Sequence, residues 1–378
     1  MTGLLLLFIG TGALYGLYWF LIARFHVSTD DAYVHGNQMA LMAQVGGTVI
    51  AVNADNTDRV RQGQELVLLD PSDARIALDQ AKAKLAQTVR AIHQLHLQYA
   101  EQQAVIAAQR AQLAQSRSDY ERSKSLNARN AISEEQFQHA RTAWHMAQAQ
   151  LQQAEHGLAS LQVQIGVTDL RHHPDVKQAV AALRAAWLDH ERTTVVAPMS
   201  GYIAKRSVQP GQQIRPGEPL MAVVPLAHVW VQANFKETEL GRMRIGQPAT
   251  ITADFYGDSV TYHGTVVGIS PGTGSVFELL PPQNATGNWI KVVQRVPVRI
   301  AIDQDQLQEH PLRLGLSLQV SVDVHDTDGE VLTQQAVSGP LYRTAVYERQ
   351  LDGLQALIMR IIEDNGGNIG PAATEIDA

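Results

Sequence analysis

The chain has 378 residues, a formal net charge of −7 and an isoelectric point near 6.0. This charge, without a basic stripe interleaved with aromatic residues, argues against a nucleic-acid-binding protein. The chain contains no cysteine, which excludes disulfides, zinc–thiolate sites and a cysteine nucleophile. Its length is sufficient for two or three domains.

The first apolar segment predicts a membrane anchor. Residues 3–23 carry no charge, and as a helix they would span roughly 31 Å, enough for a bilayer core. A cleaved signal peptide is the alternative, but no small-x-small cleavage site follows Trp19. Arg24 follows the segment and nothing basic precedes it, so the positive-inside rule alone would place the remaining chain in the cytoplasm.

Two short segments, residues 45–71 and 197–225, repeat one pattern of apolar runs around a polar turn. Two unrelated hairpins are one interpretation of this repeat. Five positions match in a single register, however, and this favours two halves of one β-sandwich, because neither half has enough apolar surface to fold alone. The matched pairs are Gly47/Gly201, Val60/Ile214, Gly63/Gly217, Leu66/Leu220 and Pro71/Pro225.

The residues between the two halves predict a hairpin of two long helices. Asp70-Pro71-Ser72 is a helix-start sequence, and no Gly or Pro interrupts residues 72–130. Ser133 with Gln136 forms a capping box for the second helix, which Gly166 and residues 172–175 should break. Because the connection is short, the helices should run antiparallel.

Apolar residues at every seventh position predict a coiled-coil seam between these helices. The other faces are rich in neutral Gln, Ala and Ser, including Gln102 and Gln109, and would suit lateral packing of several hairpins, with plain solvent exposure as the alternative. The predicted seam residues are Leu78, Leu85, Ile92, Tyr99, Ile106, Leu113 and Tyr120, then Phe137, Trp144, Leu151, Leu158 and Ile165, with Ala140, Ala147, Ala154 and Leu161 at the second seam position.

The region after the second half alternates in short strands separated by Gly, Pro, Asp and Asn, which predicts a small antiparallel β-barrel. Residues 271–295 form a long loop in this interpretation, and residues 345–362 predict one amphipathic helix. The fold class is therefore multidomain α+β. The predicted domains are 1–27 (anchor), 28–44 (linker and a barrel strand), 45–71 and 195–226 (sandwich halves), 72–194 (hairpin), 227–326 (barrel) and 327–378 (tail).

No motif predicts catalysis. Gly272-Thr273-Gly274 is not a phosphate loop, because no Gly-Lys-Ser/Thr follows it. His93 and His96 could share a metal on one helix face, but no third ligand is visible, so they are better interpreted as surface or seam histidines. We predict a protein without enzymatic activity, cofactor or metal site.

The paired halves resemble a split lipoyl/biotinyl-like domain, with Gly47, Gly63, Gly201 and Gly217 at its turns. The order of anchor, half-domain, hairpin, half-domain and barrel resembles the periplasmic membrane fusion (adaptor) proteins of the HlyD/EmrA family. Stretches such as "TDDAYVHGNQ" (29–38) and "LRLGLS" (312–317) are most similar to the EmrA type. The resemblance implies an inner-membrane anchor with the main body in the periplasm.

The resemblance also implies a function and partners. It implies a multidrug efflux adaptor that links an EmrB-like major-facilitator exporter to a TolC-like outer-membrane channel and assembles as a hexamer. An adaptor of an ABC exporter of peptides or proteins is the alternative. A lipoyl- or biotin-carrier component is the alternative from another class, but no lysine stands on a tight turn between the halves.

One docking motif carries over from the resemblance. Adaptors of this type present an Arg, a Leu four residues on and a Ser eleven residues on, at the hairpin tip where the channel docks. In this chain these residues are Arg122, Leu126 and Ser133. From the sequence alone, Leu126 can instead close the seam and Ser133 can cap the second helix, and the two sets of roles are compatible.

Overall fold

A computed structural model describes residues 11–12, 16–17, 20–21, 23–166, 169–276, 293–334, 336 and 338–366. The chain divides into two compact units, one made of Met1–Leu69 with Val195–Tyr347 and the other of Asp70–Thr194 with Glu348–Ala378. Most of the predicted anchor and the centre of the predicted long loop lie outside the described residues. Among the residues that are described, no helix has the length and apolar character needed to cross a membrane.

Strands form most of the first unit and helices the second. The strands are β1 (His26–Gly36), β2 (Met39–Met42), β3 (Gly47–Val52), β4 (Arg59–Val60), β5 (Glu65–Leu69), β6 (Thr194–Val196), β7 (Gly201–Ala204), β8 (Gln213–Ile214), β9 (Pro219–Val224), β10 (Val229–Lys236), β11 (Pro248–Ala253), β12 (Thr261–Ile269), β13 (Arg295–Ile302) and β14 (Ser317–Asp323). The helices are α1 (Ser72–Asn127), α2 (Glu134–Ile165), α3 (Pro174–Glu191), α4 (Gln304–Glu309) and α5 (Leu354–Gly366).

Six antiparallel strands close into a barrel in the order β1-β10-β13-β12-β11-β14, which confirms the predicted barrel. Buried and more exposed side chains alternate along its strands. In β10 the buried side chains are Val229, Val231, Ala233 and Phe235, and those between them are more exposed. Strand β1 comes from the segment expected to add a strand, and it carries a bulge between Thr29 and Ala32.

The two sequence repeats fold together around one hydrophobic core. The sheets β2-β9-β7-β4 and β6-β5-β3-β8 each contain strands from both repeats. Val60, Leu66, Ile214 and Leu220, which are matched positions of the repeat, are all at most 2% exposed in this core. Each repeat therefore supplies half of a core that neither could close by itself.

A local two-fold relation connects the halves. In β3–β8 Gly47 lies opposite Ile214, and in β7–β4 its repeat equivalent Gly201 lies opposite Val60. Backbone hydrogen bonds between the halves follow the same two-fold relation. The Gly63 N–H donates to the carbonyl of Ala197 at 2.9 Å, and the Gly217 N–H donates to that of Ala43 at 2.7 Å. The predicted pairing of the repeats is thus present in the strand register itself.

Two of the matched glycines are fixed by backbone conformation. Gly63 and Gly217 have φ of +80° and +85°, in the left-handed region where a Cβ is unfavourable. The repeat therefore conserves the same tight turn in both halves, and the glycines at these turns follow from the chain geometry.

The second unit contains the predicted antiparallel pair of helices, α1 and α2. Tyr120 near the end of α1 stacks on Phe137 near the start of α2, whereas Gln102 bonds to Ala154 farther along α2. Every predicted seam residue is buried or half-buried. The second leg breaks after Gly166, as predicted, and α3 completes it by packing beside the first part of α1.

The structure places Gln102 and Gln109 between the helices, so the prediction that they lie on outward faces is wrong. Both are half-buried at the second seam position of α1. The Gln102 amide donates to the carbonyl of Ala154 at 3.0 Å, and Gly157 leaves room for its side chain. A long amide fits there because α2 offers alanines and a glycine, and its bond satisfies a polar group that would otherwise be costly to bury.

The tail helix α5 packs on the first part of α1 and on α3. Its Leu354, Ile358 and Ile362 are buried in a cluster with Leu85 and Leu183. The helix starts later than the 345–362 prediction, because Gly353 has φ of +79°, which no α-helix accommodates. The predicted amphipathic character is correct, and its apolar face has a partner within the chain.

Candidate functional site

A turn at the tip of the hairpin is held by hydrogen bonds to Leu126. Its carbonyl accepts the N–H groups of Arg129 at 3.1 Å and Ala131 at 2.9 Å, and this ends α1. Asn130 has φ of +53°, a conformation that Asn tolerates better than most residues. The Leu126 side chain is half-buried in this turn.

Ser133 caps the second helix as the sequence predicts. Its hydroxyl oxygen accepts the N–H of Gln136 at 3.2 Å, and the Gln136 side-chain oxygen accepts the N–H of Ser133 at 3.2 Å. The carboxylate of Glu134 accepts the amides of Gln138 and Asn127, which holds the pKa of Glu134 below its usual value. The Asn127–Glu134 bond ties the two helices together across the turn.

Replacing Ser133 by Ala should loosen the tip locally. Losing an N-cap costs about 1 kcal/mol, so the Gln136 and Phe137 amides should exchange with solvent roughly fivefold faster. Hydrogen exchange followed by mass spectrometry measures this. Ser125→Ala is the matched control, because the Ser125 hydroxyl only donates to the Arg122 carbonyl within α1. Equal protection of these amides in both variants would contradict the capping role.

Arg122 stands on the exposed side of the same tip. Its side chain is 70% exposed and forms an ion pair with Asp119 at 3.6 Å, one turn earlier on α1. Exposed pairs of this kind contribute little, so the guanidinium stays available to a partner. The structure thus places Arg122, Leu126 and Ser133 at one end of the hairpin. The Asp119 pairing was not foreseen, although the i,i+3 spacing in the sequence could have indicated it.

Comparisons with known proteins identify the family of the chain that carries this hairpin. A family model described as the EmrA alpha-helical hairpin domain matches residues 72–193, and one described as an AaeA-like beta-barrel domain matches residues 228–323. The multidrug export protein EmrA of Escherichia coli K12 is 52% identical over 93% of this chain and 90% of its own length. The chain belongs to the EmrA family.

A second relative and a solved structure are also similar to this chain. The fatty acid resistance protein FarA of Neisseria gonorrhoeae is 48% identical over 78% of this chain and 75% of its own length. A solved structure of the periplasmic adaptor protein EmrA is 22% identical with a TM-score of 0.39, and it aligns over 79% of this chain and 98% of its own. The two relatives, EmrA and FarA, are named for export and for resistance and not for an enzymatic reaction, in agreement with the non-enzymatic prediction.

An aromatic stack lies next to the tip of this EmrA-family hairpin. The Tyr120 ring packs between Phe137 and Trp144, with ring centroids 5.7 Å and 5.0 Å away and interplanar angles of 24° and 14°. Seam spacing predicted these three positions, but not that their rings would stack. Aromatic stacks add stability beyond the buried area, so the stack fixes the register of the helices that present Arg122 and Ser133.

The histidines considered as metal ligands lie far from the tip. His93 and His96 are half-buried on α1, and burial, followed by the charges of His93 and His173, lowers the pKa of His96. In the part of the chain that the structure describes, no group of three His, Asp or Glu side chains could hold a metal ion.

Proposed function

We propose that this chain is the periplasmic adaptor of a tripartite multidrug efflux pump. In this role it links an EmrB-like major-facilitator drug/proton exporter in the inner membrane to a TolC-like channel in the outer membrane. The observation that carries the proposal is the 52% identity to the Escherichia coli multidrug export protein over 93% of this chain. Residues 1–27 anchor the protein in the inner membrane, and the main body lies in the periplasm.

The sandwich made of residues 45–71 and 195–226 is of the lipoyl/biotinyl type in this proposal. The exchanged strands of the two repeats and the equivalent turns at Gly63 and Gly217 support it. In a carrier protein the halves join through a tight turn with a modified lysine. Here the helical hairpin, residues 72–194, occupies that connection, so the domain has an architectural role and no carrier chemistry.

The hairpin tip is the channel-docking site in this proposal. The exposed Arg122 guanidinium can donate several hydrogen bonds to carbonyl or carboxylate oxygens on a channel rim. Leu126 would fill a small apolar groove between channel helices. Ser133 keeps its cap bond through an oxygen lone pair and still has a hydroxyl proton to donate to the channel.

Self-association, as a hexamer, places several tips around one channel. The exposed helix faces are mostly neutral and polar, and they include exposed apolar side chains at Leu97, Met146 and Val163. Such faces support lateral contact between hairpins. A repeated head-to-tail contact closes into a ring when its rotation permits.

The function is tested by complementation with the full chain. A drug-sensitive host that lacks its own EmrA-type adaptor should regain resistance when this chain and a major-facilitator partner are expressed together. Crosslinking and purification should then recover both the transporter and the outer-membrane channel. Recovery of an ATP-binding-cassette transporter together with peptide export, and no gain in drug resistance, would instead support the alternative adaptor role.

A further inference from the structure

Basic and aromatic side chains converge at one end of the barrel. Phe25, directly before β1, is 9% exposed, and the Arg24 guanidinium lies 4.5 Å from its ring centroid. Arg242 reaches the same ring from the turn after β10, at 5.0 Å, and the His325 ring lies 4.4 Å away after β14. Three segments far apart in sequence therefore gather basic groups around one phenylalanine.

The two arginines lack the partner that usually explains such a cluster. Nearby at this end of the barrel, Lys236 pairs with Glu239 at 3.4 Å and Arg295 pairs with Asp31 at 3.1 Å. Among the described residues, neither Arg24 nor Arg242 forms an ion pair, and both are exposed. Two like charges that share one aromatic ring and have no carboxylate partner favour a bound anion.

The surface beside this cluster is apolar. Leu17, Phe20 and Leu21 are each more than half exposed, and the Arg24 guanidinium also lies 3.9 Å from the Phe20 ring centroid. An exposed apolar surface that ends in unpaired arginines and aromatic rings has the pattern of a protein surface at a membrane–water interface. The charge and the adjoining apolar side chains together select a phospholipid over a soluble anion.

We propose that Arg24 and Arg242 bind the phosphate of an anionic phospholipid headgroup and seat this end of the barrel on the bilayer. Arginine suits this role because its planar fork bonds two phosphate oxygens at once. The Phe25 ring holds both guanidiniums by cation–π contact, so they are partly preorganised for the headgroup. The inference rests on the proposed membrane anchoring and adds a lipid preference to it.

Native mass spectrometry of the full-length protein in detergent tests this site, with added phosphatidylglycerol or phosphatidylcholine as the probe. We expect the protein to prefer phosphatidylglycerol. The double variant Arg24→Gln/Arg242→Gln should lose roughly thirtyfold in phosphatidylglycerol affinity and little in phosphatidylcholine affinity. Arg313→Gln is the matched control, since the Arg313 guanidinium lies 5.5 Å from the Phe255 ring centroid at the opposite end of the barrel.

Each outcome decides the proposal. Unchanged phosphatidylglycerol affinity in the double variant, or an equal loss in Arg313→Gln, would overturn it. If the double variant keeps its lipid affinity but no longer co-purifies with the transporter, the arginines serve an acidic protein surface and the lipid site is wrong. Membrane association of the unaltered protein, measured separately by fractionation, tests the anchor, so failure of the proposed location is distinguished from failure of the headgroup site.

Discussion

Leu126→Asp or Arg122→Asp should reduce drug resistance to the level of cells that lack the adaptor. Asp at position 126 would place a charge in the proposed apolar docking groove, and Asp at position 122 would replace a donor by an acceptor beside Asp119. In the proposed ring each tip recurs, so the deficits would multiply. Export assays combined with crosslinking to the outer-membrane channel measure the loss.

The same variants should leave expression, membrane anchoring and transporter binding intact, since the altered side chains lie at the end of the hairpin. Arg117→Asp is the matched control: it reverses an exposed charge five residues earlier on α1, on a different face of the helix, where Arg117 pairs with Glu121. Normal export and channel crosslinking by the position 122 and 126 variants would show that docking uses the sides of the hairpin.

Gly201→Ala should unfold the paired-repeat sandwich locally. A Cβ on Gly201 would lie 2.6 Å from the carbonyl oxygen of Val224 and 2.9 Å from the Cγ1 of Val223, in the neighbouring strand β9. Backbone in a paired strand cannot retreat without breaking its register, so we expect a loss of about 3 kcal/mol. Amides of β7 and β9 should then exchange with solvent more than about a hundredfold faster, as measured by mass spectrometry.

Gly268→Ala is the control for the Gly201 variant. It adds the same methyl group to strand β12, where the new Cβ would meet no atom within 4 Å. We expect its effect on stability to stay within about 0.5 kcal/mol. Similar exchange rates in β7 for the Gly201 variant and the unaltered protein would mean that the halves tolerate a wider separation than the register indicates.

The sequence by itself determined the features that depend on local rules. Heptad spacing located the seam from Leu78 to Tyr120, because side chains one heptad apart share a helix face whatever surrounds them. Ser133 and Gln136 predicted a helix start, since the hydrogen bonds of a capping box join residues within four positions of each other. The matched turns at Gly63 and Gly217 were visible because a left-handed backbone selects glycine in each half.

Only the tertiary structure decided which distant groups meet. Gln102 lies between the helices because Ala154 and Gly157 on α2 leave space for its side chain. The sequence of α1 alone does not predict that space. The tail helix α5 packs on α1 and α3. The sequence does not specify these partners, because an apolar helix face can be buried against any complementary surface. Arg24 and Arg242 converge on Phe25 only once the barrel closes, since strand register, and not proximity in sequence, determines which turns share one end.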